Sequence, residues 1–166
     1  SNINNGVKIM VTELLSTALI CLASNVYHEA KNQSIEGQIA VAEVTMNRVA
    51  DSRYPNTVCE VVKQGPIRES WKTRKDATLP KYKRKYFPVK NRCQFSWYCD
   101  GKGDEIKEHN AFVIATWVAN GVLNGKLEPI VKGATHYHAD YVLPEWAATK
   151  TKTRTIQNHI FYRWEK

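Results

Sequence analysis

The sequence predicts an α+β fold of three main helices and a small antiparallel sheet. Apolar residues recur at helical spacing in three separate stretches, short β-prone runs gather toward the C-terminal third, and neither repeats nor low-complexity linkers interrupt the chain. With 166 residues, 43% hydrophobic and 24% charged, the chain can bury one sizeable core and is short for two ordinary domains. A single domain over residues 1–166 is therefore expected, carrying one long insertion at 67–92. The composition excludes collagen-like, coiled-coil and disordered classes.

The first helix is expected from Met10 to Ala30, where Leu15, Leu19, Leu22 and Val26 step along one face and Glu29 stands three residues further on the same stripe. Ile9–Ala23 behind Lys8 has some features of a secretory h-region, but Glu13 interrupts it and the spacing favours a helix of the fold. A second helix runs from about Ile35 to Val49 with Ser34 as N-cap. Its inner face is expected to carry Ile39, Ala42, Met46 and Val49, and its other face Glu36, Ala40, Glu43 and Asn47. Val58 to Val62 reads as a short apolar turn. A third helix, from about Glu105 to Leu123, should bury Ile106, Val113, Trp117 and Val118 and end at Gly121 or Gly125. Cys93–Tyr98, Ala134–Ala139 and Ile156–Trp164 prefer extension; in the last, Ile156, Ile160, Tyr162 and Trp164 would share one face of a half-buried strand.

The net charge of +8 sits in one place. Residues 67–92 hold ten Lys and Arg side chains against only Glu69 and Asp76, and the rest of the chain carries basic and acidic groups in equal number. This proline-punctuated stretch, with Tyr82, Tyr86, Phe87 and Pro88, reads as irregular structure. Its cations, interleaved with Trp71, Tyr82 and Tyr86, suit a nucleic acid, an anionic wall polymer or a membrane surface, and a solvated loop fits as well. No run of 18 apolar residues occurs, so no spanning helix is expected. Cys21, Cys59, Cys93 and Cys99 lack zinc-site spacing. Cys21 is expected to be a small core residue, and one disulfide among the other three would close the basic segment if the protein works outside the cytoplasm.

Glu29 is the most informative candidate for chemistry. At the C-terminal end of an apolar stripe, burial and the negative end of the helix dipole both disfavour its charged form. A carboxyl kept protonated near neutral pH is what general-acid cleavage of a glycosidic bond requires. The same position also suits a glutamate that merely marks where the helix surfaces. His136 and His138 would share one face of a strand, acceptable for zinc, but no third ligand follows at a typical spacing, and a cleft strand binding a substrate is the alternative. Aromatics beside hydrogen-bonding residues in Gln94-Phe95-Ser96-Trp97-Tyr98, His136-Tyr137-His138 and Pro144-Glu145-Trp146 suit sugar rings, although part of this set will be core packing.

Asn25–Ala30, Glu36–Ala42, Met46–Val49 and Tyr54–Cys59, followed past the insertion by Cys93–Trp97, Gly133–His138 and His159–Phe161, closely resemble the cell-wall hydrolase family typified by the spore-cortex-lytic enzyme SleB. The resemblance spans about residues 14 to 163. It implies a fold related to lysozyme and the lytic transglycosylases, with the family's catalytic glutamate at Glu29. The expected activity is a lytic transglycosylase cleaving between N-acetylmuramic acid and N-acetylglucosamine, with Glu36, Gln94, Phe95, Ser96, Trp97, His136, Tyr137 and His138 binding peptidoglycan glycan strands. A hydrolase would need a second carboxyl, for which Glu36 and Glu43 are available. No metal or cofactor, no nucleic acid and a monomeric state are expected. Action at the bacterial wall is implied, with an anionic wall or membrane surface met through residues 67–92, and a phage endolysin is one setting. A hydrolytic muramidase, a zinc amidase on His136 and His138, and a non-catalytic binding module are the rival readings. His28 where Gly is common, histidines around 136–138 in place of tyrosines, and the long insertion depart from the family pattern and bear on substrate preference.

Overall fold

The computed structural model describes residues 17–166, and its second helix, α2 (Ile35–Ala50), is the helix on which its neighbours in the same compact unit pack. Ser34 caps it, its side chain accepting from the Gly37 amide at 3.2 Å, which satisfies one of the donors every helix start leaves open. The chain divides into two compact units: Ser1–Val62 with Ile106–Lys166, and Lys63–Glu105.

In the larger unit, α1 is helical over residues 17–30; the expected start at Met10, with Leu15, lies outside the described residues. It is fastened to its neighbours by a Cys21–Cys59 disulfide to α3 (Val58–Val62) and by Asn25, whose Nδ2 donates to Thr45 Oγ1 of α2 at 3.1 Å. Cys21 is therefore a crosslink rather than a free core thiol, and Val58–Val62 is a helical turn. The remaining long helix, α5 (His109–Leu123), ends before Gly125, whose φ of 66° is a left-handed conformation that glycine adopts without strain.

Two helix faces differ from expectation. Because α2 packs against α3, α5 and a sheet-side cluster of Val131, Ala134, Ile156 and Phe161, it is buried nearly all round. Ala40 and Glu43, assigned to its outer face, are buried, whereas Ile39, Met46 and Val49 are only partly so. In α5, Ala115, Val118 and Ala119 point inward while Ile106 before it, Val113 and Trp117 are exposed. That helix has no charged residue, so composition alone could not separate its two sides.

The sheet runs in the order β3 (His136–Ala139), β5 (His159–Arg163), β4 (Thr151–Ile156), all antiparallel. The run expected to extend from Ile156 is split: Ile156 ends β4, and Gln157, at φ 50°, turns the chain into β5. Being central, β5 buries both faces, with Phe161 in the core and Tyr162 against His138 and Trp146 on the other side. Truncating Phe161 to Ala would cost about 3–5 kcal/mol.

The smaller unit contains a hairpin, β1 (Ile67–Glu69) with β2 (Tyr86–Pro88), and a short helix α4 (Trp71–Arg74) between them. Tyr86, Phe87 and Pro88 thus lie in a strand, not in irregular structure. Cys93 and Cys99 are joined by a disulfide, and Ser96–Cys99 is a 3₁₀ turn where extension was expected. Two of the three outer cysteines do pair, closing a six-residue separation rather than the basic segment.

Candidate active site

Glu29 occupies the last turn of α1, and its neighbours hold that turn from two sides. The Tyr27 hydroxyl accepts from the backbone N–H groups of Lys107 (3.2 Å) and Glu108 (3.1 Å), and Lys31 pairs with Glu108 at 3.5 Å. The end of α1 is thereby tied to the start of α5. Glu29 keeps an edge in solvent, yet its carboxyl is closely packed by protein. Loss of hydration raises its pKa from 4.5 to about 7, while Tyr137 and the positive charge of Arg48 pull the other way. Near neutral pH the group divides itself between acid and carboxylate.

Tyr137 comes from β3. Its buried hydroxyl interacts with Glu29 and has no other hydrogen-bond partner among the described residues. Burial first, then the Glu29 charge, push the phenol far up, so it remains a proton-bearing donor. Arg48 comes from the last turn of α2. Its Nε donates to the Thr135 carbonyl at 2.7 Å, and its guanidinium carbon lies 5.3 Å from the centroid of the Tyr54 ring. Three separate elements, α1, α2 and β3, thus bring Glu29, Arg48 and Tyr137 together.

His136 adjoins this group on the opposite face of β3 from Tyr137. Burial, and then the charge of Arg48, lower its pKa to about 4, so the ring is neutral at physiological pH. It packs in an aromatic cluster with Tyr54, Trp146 and Trp164 at centroid distances of 6.4, 5.0 and 5.8 Å. His138 shares that face, as alternation predicts. Its Nδ1 lies 2.7 Å from the Ala139 carbonyl, which can only accept, so Nδ1 carries the proton and Nε2 accepts from the Tyr162 hydroxyl at 2.9 Å. Both nitrogens of His138 are spent within the fold. Among the described residues, no group of three or more His, Cys, Asp and Glu side chains is arranged to hold a metal ion.

The two carboxylates of α2 are engaged elsewhere. Glu36 is paired with Arg154 of β4. Glu43 accepts from the backbone N–H groups of Ile130 (2.7 Å) and Val131 (3.0 Å), fixing the loop that leads to β3. Gln94, Phe95, Ser96 and Trp97 belong to the smaller unit, where Phe95 is buried, Gln94 and Ser96 are exposed, and Trp97 meets Tyr98 edge to face at 6.0 Å. Arg48 and Tyr54 were not singled out from sequence. A guanidinium in a run of otherwise buried residues was the available signal, and both lie in blocks that carry the family resemblance.

The model of a family described as cell wall hydrolase matches residues 32–162. This chain belongs to the cell wall hydrolase family. Two solved structures share the fold of this hydrolase. The catalytic domain of the Bacillus cereus SleB protein aligns with a TM-score of 0.60 and 23% identity over 89% of this chain and 91% of that one. The catalytic domain of a germination-specific lytic transglycosylase, SleB from Bacillus anthracis, aligns with a TM-score of 0.58 and 23% identity over 88% and 93%. No curated protein matches. Glu29 precedes the span matched by the family model by three residues.

Proposed function

We propose that this cell wall hydrolase is a lytic transglycosylase that cleaves peptidoglycan between N-acetylmuramic acid and N-acetylglucosamine. Glu29 gives its proton to the glycosidic oxygen as the bond to C1 of the muramic residue breaks. The resulting carboxylate then takes the proton from the C6 hydroxyl of the same sugar, whose oxygen closes onto C1. The products are an N-acetylglucosamine end and a 1,6-anhydromuramic end; the proton returns to Glu29 and no water is consumed. Tyr137 as donor and Arg48 as cation favour Glu29 in its transient charged form.

The observation that carries this reading is the Glu29 carboxyl, raised by burial to about 7 beside Tyr137 and Arg48. Hydrolysis canonically uses a second carboxyl group at about 5–9 Å, and the two carboxylates of α2, Glu36 and Glu43, are bound to Arg154 and to backbone amides. The fold shared with a protein described as a lytic transglycosylase supports the same reaction. Of the expected glycan contacts, Glu36, His136 and Tyr137 remain proposed in the larger unit and Gln94, Ser96 and Trp97, separately, in the smaller; Phe95 and His138 are buried, and both ring nitrogens of His138 are bonded within the fold. Two disulfides suit a chain working in an oxidising compartment at the wall.

The test is Glu29→Gln. The variant should fold and lose wall-lytic activity by ~10²-fold or more, the usual contribution of a general acid. Retention of more than about a tenth would remove Glu29 from the chemistry. An equal loss in Glu36→Gln would favour a two-carboxylate muramidase.

A further inference from the structure

We propose that the basic unit holds a second, non-catalytic binding site for peptidoglycan: a hollow that takes a muramyl sugar together with a carboxylate of its peptide stem. This rests on the reading of the chain as a peptidoglycan-cleaving enzyme and names the partner of the insertion. The hollow, ≈ 620 Å³, lies between α4 and the hairpin. Its walls include Trp71 and Phe87, 59% and 56% exposed, and its rim carries Arg68, Arg74 and Lys90.

The construction of the hollow sets its chemistry. Arg84 is the hub of the unit, donating to Glu69 Oε1 at 2.8 Å, to the Thr73 carbonyl at 3.2 Å and to the Asp76 carbonyl at 3.1 Å. It neutralises Glu69, the one acid in the lining, and ties α4 to the hairpin. The three rim cations form no ion pair with an acidic side chain among the described residues. Lys75 lies 4.6 Å from the centroid of the Trp71 ring, holding the indole while it lines the hollow.

Aromatic walls suit the C–H face of a sugar, and two guanidinium forks suit carboxylates. The lining also contains acceptors. Thr73 and Arg84 both reach the same Glu69 oxygen, Oε1, so Oε2 remains able to accept, as does the Ser70 hydroxyl. A ligand with hydroxyl and amide donors beside its carboxylates satisfies both sets. A polyphosphodiester, rich in anions and poor in donors, satisfies only the cations, and a membrane surface does not enter a hollow.

The experiment is calorimetric titration of the 166-residue Glu29→Gln chain with a soluble disaccharide-tetrapeptide muropeptide. Adding Trp71→Ala, or Arg68→Gln with Arg74→Gln, should weaken binding about tenfold through loss of the ring contact or of the charged forks. Lys81→Gln with Lys83→Gln removes the same charge away from the hollow and should leave the affinity within about twofold, since exposed charges at a distance are screened. Equal weakening by this pair would reduce the site to diffuse attraction and overturn the proposal. So would tighter binding of polyglycerol phosphate, or unchanged binding in both hollow variants. Parallel digestion of sacculi by the wild-type chain separates the two readings. Released glycan fragments without hollow-dependent binding overturn this site alone, whereas no fragments overturn the enzymatic reading.

Discussion

Replacing Glu29 by Gln should stabilise the protein above neutral pH and change it little in acid. In the unfolded chain the carboxyl titrates near 4.5, and in the folded one at about 7. Below 4.5 it is protonated in both states. Between the two values the folded chain holds a proton that the unfolded chain has released, so stability falls as pH rises through this window and the loss is complete above about 7. At about 1.4 kcal/mol per pH unit, the interval corresponds to about 3 kcal/mol. His136 acts in the opposite sense. Its folded value of about 4 lies below the ordinary 6.5, so its contribution rises with pH across that range and masks the Glu29 slope in the wild type. The difference between wild type and Glu29→Gln cancels His136 and isolates the carboxyl. Urea unfolding under oxidising conditions, followed by tryptophan fluorescence at about pH 4.5 and about pH 8, should show the variant gaining about 3 kcal/mol between the two. A difference independent of pH would mean that Glu29 titrates normally, and the argument for a poised acid would fail.

Tyr137→Phe removes a group that favours the Glu29 carboxylate, so the alkaline limb of kcat/KM on a soluble substrate should move to higher pH; an unmoved limb would mean that the phenol does not act on Glu29. Glu43→Gln leaves one of two backbone amides facing a donor, which should lower stability by about 1–3 kcal/mol in thermal unfolding. Reduction should cost more at Cys21–Cys59 than at Cys93–Cys99, about 4 against about 2 kcal/mol by loop length, as measured with the two paired Cys→Ser variants. Neutralising Lys81, Lys83 and Lys85 should weaken binding to sacculi at low salt, with equal loss of cleavage on a short soluble glycan as the contrary result. Arg84 is left out of that set because it holds the unit together.

Local signals were legible where one chemical cause dominates. Ser34 and the spacing after it placed α2 within a residue, and of the two glycines expected to end α5, Gly125 does so while Gly121 lies within it. The alternation of His136 and His138 was equally readable. Burial was harder. A helix enclosed on all sides loses its periodic stripe, so Glu43 looked like a surface carboxylate although it is a buried acceptor for a loop 87 residues away. β4, reading Thr-Lys-Thr-Arg-Thr-Ile, has mostly exposed or half-exposed side chains as an edge strand, and little apolar signal. The site followed the same division. Glu29 stood out because its stripe is local, whereas Arg48 and Tyr137 join it only through the packing of α2 and β3, which no spacing along the chain encodes.

The most direct test of single-glutamate chemistry is mass spectrometry of the fragments released from purified sacculi. If Glu29 acts alone, the muramic ends are 1,6-anhydro and one water lighter than reducing ends, and the same digest with Glu29→Gln contains neither. Reducing muramic ends would show that water is the acceptor and that a second group activates it. Free peptide stems with intact glycan would show that the bond cut is an amide, and Glu29 would then have no place in the reaction.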